Sequence, residues 1–227
     1  NQSMILNVHR KKTPNCGDLA SAPVGYLKSP HSLRRIDILD CDGSSKKAER
    51  LLEQAEAIII GGGGLLDFKK FDPALRHILS GHGDKAILWG VGSNSVNGFR
   101  SDNLVAKARL AGVRDFPAAN DGISWVPCAS CLHPFFSNFF ADQSKRNMPF
   151  DGLPKNPKIG FIENNSGSSR VSIADCGHEV EVIGNKKTAI EQILEFCISK
   201  DLIVSSSYHG CYWAGLLAIP VIGVPTS

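Results

Sequence analysis

Short apolar runs alternate along this chain with longer amphipathic stretches, so the hydrophobic period switches repeatedly between that of a strand and that of a helix. Runs at residues 4–8, 36–39, 57–60, 86–89, 110–113 and 123–126 read as strands. Their nearly continuous apolar character fits strands buried on both faces, as in a parallel sheet covered by helices. From 132 to 157 a stretch rich in Pro, Phe and Asn breaks every period. A second series follows, with strands predicted at 158–163, 179–183, 202–204 and 221–224 and a helix over 187–199. That helix places Ile190, Ile193, Leu194 and Cys197 on one face, at the i, i+3, i+4, i+7 spacing of a buried stripe.

The pattern predicts an α/β protein of two Rossmann-like lobes facing a cleft: an N-terminal lobe over 1–135, an irregular linker over 136–157 and a smaller C-terminal lobe over 158–227. The start at Asn1, ahead of the first methionine at Met4, and the end in a strand and loop both read as trimmed, so the second lobe is expected to lack a final helix. In open parallel sheets ligands bind beyond the carboxyl ends of the strands, and the segments there are where chemistry is expected.

Composition narrows the partners. Of the 227 residues 42% are hydrophobic and 21% charged, which suits a globular chain and argues against disorder. The net charge is +3, and the basic doublets are scattered, so nucleic acid is not an expected partner. No apolar run approaches the roughly 20 residues of a membrane-spanning helix, and the first residues lack a signal-peptide pattern. A cytoplasmic location is expected. Seven cysteines, an odd number at low density, read as reduced thiols. Cys128-Ala-Ser-Cys131 has the spacing of half a zinc site or of a redox pair; His133 could serve as a third ligand, but no second pair completes a metal site. No metal is expected, and the two thiols are expected to be dispensable.

Four segments carry candidate chemistry. The strand at 57–60 opens into Gly61, Gly62, Gly63 and Gly64, followed by Leu65-Leu66. Unshielded amides there, with a helix beginning just after, would bind an anion such as a phosphate. The alternative is a tight turn under a closely packed helix. A dinucleotide fingerprint is not met, because Asp67 stands where glycine or alanine is needed and the next strand closes in Trp89-Gly90-Val91-Gly92 without an acidic residue. No Walker sequence follows the glycines. The strand at 202–204 runs into Ser205-Ser206-Ser207-Tyr208-His209-Gly210, where the serines would cap a helix and contact an anion. His209, in its first turn, would point into the cleft as an acid near neutral pH, or simply complete the cap. Ala111-Gly112-Val113 leads to Arg114, a fork suited to a carboxylate or phosphate, and to Asp115, which would cap the next helix or pair with Arg114 at the surface. In Asn15-Cys16-Gly17-Asp18, Asp18 is a general base or an N-cap.

In this order, Asn15-x-Gly17-Asp18, the Gly61–Gly64 run with Leu-Leu, Gly90-Val-Gly92, Ala111-Gly-Val-Arg114-Asp115 and Ser206-Ser-Tyr-His209-Gly210 with Ile219-Pro-Val-Ile222 resemble the polysaccharide pyruvyl transferase family over nearly the whole chain. The resemblance implies a GT-B-like pair of lobes, phosphoenolpyruvate as donor and co-substrate, no further cofactor, and a cyclic pyruvate ketal on a sugar or glycan as product. It also allows a lipid-linked acceptor, which would bring the protein to the inner face of the membrane. On this reading His209 is the acid or a phosphate contact and Asp18 the base. Arg114, Ser206, Ser207 and the amides of Gly61, Gly62, Gly63 and Gly64 hold the donor. The competing readings are a GT-B glycosyltransferase using a nucleotide sugar and a non-catalytic sugar- or nucleotide-binding module.

Overall fold

The structure, a computed structural model, describes residues 3–95, 100–116, 122–142, 152–164 and 179–224. The chain divides into two compact units, one of Asn1–Thr13 with Asp18–Ser130 and one of Pro14–Gly17 with Cys131–Ser227. Each unit has its own sheet, and every strand pair in both is parallel.

The N-terminal sheet runs β2-β1-β3-β5-β6-β7, from β1 (Met4–His9), β2 (Ser32–Asp37), β3 (Ala57–Ile60), β5 (Ala86–Ser93), β6 (Leu110–Val113) and β7 (Ser124–Trp125), with β4 (Gly63–Leu66) also on β5. Its core joins Leu6 and Val8 of β1, Ile58 and Ile60 of β3 and Leu88 of β5 to Leu52 of α2 (Lys46–Gln54) and to Leu75 and Ile78 of α3 (Asp72–His82). Burying one such side chain contributes about 1.5–3 kcal/mol, which holds the helices to the sheet. The Ser45 hydroxyl accepts from Ala48 N and starts α2, and Lys85 Nζ donates to the carbonyls of Leu52, Glu53 and Ala55 at its far end.

The C-terminal sheet runs β11-β10-β8-β9, from β8 (Ile159–Glu163), β9 (Val180–Gly184), β10 (Leu202–Ser205) and β11 (Val221–Gly223). Helix α6 (Ile190–Ile198) buries Ile193, Leu194 and Cys197 of the predicted stripe, and α7 (Tyr208–Leu216) buries Trp213 and Ala214. Both sheets share one plan: the first strand takes the second on one side and the third on the other. Each therefore has a topological switch point, between β1 and β3 and between β8 and β10, where parallel sheets bind ligands.

Three differences from the sequence pattern have local causes. β2 starts at Ser32, four residues before the expected strand, because it is an edge strand whose Arg34 and Arg35 face solvent and show no apolar run. It ends at Asp37, whose carboxylate accepts from Leu39 N and turns 38–40 into a single 3-10 turn. In the stretch expected to be irregular, α5 (Pro134–Ala141) forms, with the His133 ring accepting from Phe135 N; residues 143–151 of that stretch lie outside the described ones. Pro14–Gly17 joins the C-terminal unit because Cys16 N donates to Asn185 O at 2.9 Å and Lys187 N to Pro14 O at 2.8 Å.

Candidate functional site

At the switch point of the N-terminal sheet, β1 and β3 part, and Asn7 ties their ends. Its Nδ2 donates to Ile59 O at 3.1 Å and Gly61 O at 2.6 Å. The glycine run does not lead into a helix. β3 pairs with the first half of β5 and β4 with its second half, Gly63 opposite Val91 and Gly64 opposite Gly92. Gly61 and Gly62 are thus a break within one strand line, and the next helix, α3, starts only at Asp72. The expected helix dipole behind an anion loop is corrected on this ground: Leu65 and Leu66 are fully buried, and that burial holds the chain against β5.

The glycines are there for close approach. A Cβ at Gly62 would lie 2.2 Å from Ser21 O, and one at Gly63 would lie 2.9 Å from Asp18 Oδ1, so the Asp18 carboxyl sits over Gly63. Arg114, leaving β6, lays its guanidinium on Gly92, where a Cβ would be 2.2 Å from Nε. Burial pushes the Asp18 carboxyl above its ordinary range, against the pull of Arg114 and Arg10, with Asp37 adding to the rise. His9, buried at the end of β1, is pushed down to about 4 by burial and by Arg35, against the Asp18 carbonyl and Asp37. It is a neutral imidazole at ordinary pH. Asp115 accepts from Ser93 N at 2.6 Å; the segment it would cap, 117–121, lies outside the described residues. Asp67, at φ 58°, accepts from the Ser93 and Ser101 hydroxyls, 2.5 Å each.

At the switch point of the C-terminal sheet, the Ser205 hydroxyl organises the turn after β10, bonding to the carbonyls of Ile162 and Ser207 and accepting from Ser207 N at 3.0 Å. Gly210 is required beside it, since a Cβ there would be 2.2 Å from Ser205 Oγ. Ser206 Oγ accepts from Asn164 N at 2.8 Å. Ser207 occupies the N-cap position of α7 without a side-chain cap bond, a departure from the expected serine cap; the Asn185 amide reaches its hydroxyl instead, at 3.5 Å. His209 is buried, its ring centroid 5.3 Å from those of Tyr208 and Trp213. Its Nδ1 lies against Gly17, where a Cβ would be 2.2 Å away. Gly17 N in turn donates to Asn15 Oδ1 at 2.9 Å.

A sequence model of the polysaccharide pyruvyl transferase family matches residues 5–227. The chain belongs to this family. No curated protein and no solved structure matches it. In this pyruvyl transferase family member, the expected residues fall into two groups, each following the strands of its own sheet. Asp18, Gly61–Gly64 and Arg114 gather in the N-terminal unit, and Ser206, Ser207 and His209 in the C-terminal one.

Reading by residue type overlooked His9, Arg10, Asn164 and Asn185. The one trace of His9 in the sequence is a polar residue closing an apolar strand. Asn164 and Asn185 leave none, because they matter through contacts with a turn far along the chain. In this transferase the Cys128 thiol is fully buried 3.3 Å from the Ser130 hydroxyl, and His133 pairs with Glu191 at 3.2 Å. Among the described residues no three His, Cys, Asp or Glu side chains are placed to hold a metal ion.

Proposed function

We propose that this family member transfers a pyruvyl unit from phosphoenolpyruvate to two hydroxyls of a sugar, forming a cyclic ketal. The observation that carries the reading is Asp18 and Arg114 near the carboxyl ends of the N-terminal strands: a half-buried acid with a raised pKa, within the electrostatic reach of a cation packed on glycine backbone. A carboxylate and a phosphate are the groups such a cation binds, and the donor has both.

In the scheme, His209 protonates the methylene carbon of the donor, leaving an oxocarbenium-like centre at the phosphate-bearing carbon. One sugar hydroxyl adds there and gives its proton to Asp18. Phosphate departs with its electron pair, and a second hydroxyl closes the ring as its proton is released. The donor and a diol become a ketal and inorganic phosphate. Arg114 balances the donor's negative charge, and the amides around Gly61–Gly64 line its approach. The scheme calls on no metal.

We expect a cytoplasmic reaction, and an acceptor on a lipid would place it at the inner membrane face. No helix among the described residues is long and apolar enough to cross a membrane.

The test is incubation of the protein with phosphoenolpyruvate and a panel of glycans, reading phosphate release and the new ketal methyl signal by NMR. Thermal shifts run alongside: a donor at 100 times its Kd stabilises by about 2.7 kcal/mol. A shift with a nucleotide sugar and none with phosphoenolpyruvate would overturn the reading in favour of glycosyl transfer. Binding of a sugar or nucleotide without turnover would favour a non-catalytic module.

A further inference from the structure

Two large aromatic side chains of the N-terminal unit lie outside its core and beside Arg114. Phe116 is 75% exposed and Trp125, in the edge strand β7, is 51% exposed. Their rings meet edge to face, centroids 6.4 Å apart at 74°. The indole is fixed from below: β7 pairs Trp125 with Val113, and Trp125 Nε1 donates to the Arg114 carbonyl at 3.0 Å. An indole held this way has spent its one polar group inward and offers its face outward.

We propose that Phe116 and Trp125 form the stacking platform for a sugar ring of the acceptor glycan. The inference rests on the reading of the chain as a transferase that modifies a glycan with Arg114 holding the donor. A sugar hydroxyl must reach the donor carbon, so the acceptor subsite has to border the donor clamp, and the platform is anchored on the carbonyl of that clamp. One face of a pyranose is a patch of polarised C–H groups, which complements the electron-rich face of an indole. A pinned ring loses little freedom on binding.

The test uses the full chain and needs no turnover. Saturation-transfer NMR with methyl β-galactoside and with lactose is expected to mark the C–H protons of one ring face. The effect is expected to persist in His209→Ala and Trp125→Phe, weaken in Phe116→Ala and vanish in Trp125→Ala. In the transfer assay Trp125→Ala is expected to raise the acceptor KM by about three- to tenfold, a larger change than in the phosphoenolpyruvate KM. Equal saturation transfer in Trp125→Ala, or none to either sugar in the wild type, overturns the platform. So does Trp125-dependent sedimentation with phosphatidylglycerol vesicles, or Trp125-dependent dimerisation. Sugar binding through Trp125 without any pyruvyl transfer would leave the subsite standing and remove the proposed donor chemistry instead.

Discussion

Burial holds the Asp18 proton more tightly than solvent does, and the nearby arginines only partly offset this. With the folded-state pKa above the ordinary one, folding is favoured by the protonated form; that contribution is complete below the ordinary pKa and is lost as pH rises through the folded one. Asp18→Asn removes this loss. It is therefore expected to be at least as stable as the wild type near neutral pH, by urea midpoints across a pH series, while turnover falls about a hundredfold or more if Asp18 is the base. A large loss of stability with activity retained would reverse the assignment. For His209, alanine is expected to lower turnover by about 10²–10⁴, with a smaller effect on donor affinity. His209→Gln separates the roles: recovered activity would mark a phosphate contact, whereas loss with both variants fits proton transfer. Gly17 bears on the same test, because a methyl there would displace the ring without touching its chemistry.

The β3–β4 line shows how an element can be mistaken for a loop. Four glycines after an apolar strand read as a loop opening into a helix, yet the chain continues into β4, and Gly62 is needed because Ser21 crosses it. Gly62→Val is thus expected to damage the fold itself rather than donor binding alone, seen as an early melting transition. A second prediction concerns the join of β1 to β2. Burial would raise the Asp37 carboxyl, but the Lys12 and Leu39 amides and the Arg10 guanidinium outweigh it and hold it below the usual range. Its contribution is present above the ordinary pKa and is lost as pH falls through the lowered one. Asp37→Asn is expected to cost about 2–3 kcal/mol near neutral pH and to flatten the acid side of the stability curve.

Over the whole molecule, two parallel sheets with the same strand plan place candidate residues in the segments that follow their strands. Each unit has buried apolar side chains of its own, and Trp213 is the largest fully buried side chain among the described residues. Trp213→Ala is expected to cost about 3–5 kcal/mol and to speed hydrogen exchange in β8, β10 and α7. Because His209 packs on Trp213, turnover should fall as well, even where the protein remains folded. Unchanged exchange in those elements would contradict the packing described.

Local pattern alone determined a good part of this protein. The parallel α/β class, the two strand series, β3 and β6 to the residue and the buried stripe of α6 all follow from short-range periodicity and spacing. Those features depend on which side chains can be buried on a strand or a helix face, and neighbours in the chain report that. Tertiary structure decided the rest. Leu65 and Leu66 found their burial beside β5, which made a strand where a helix was expected. Two backbone hydrogen bonds to Asn185 and Lys187 drew Pro14–Gly17 into the C-terminal unit, so that Gly17 supports a histidine 192 positions later. Trp125 acquired its fixed indole from the carbonyl of Arg114 across a strand pair. In each case the deciding partner is remote in sequence, and the energy of the contact exists only once the chain has closed the loop between them.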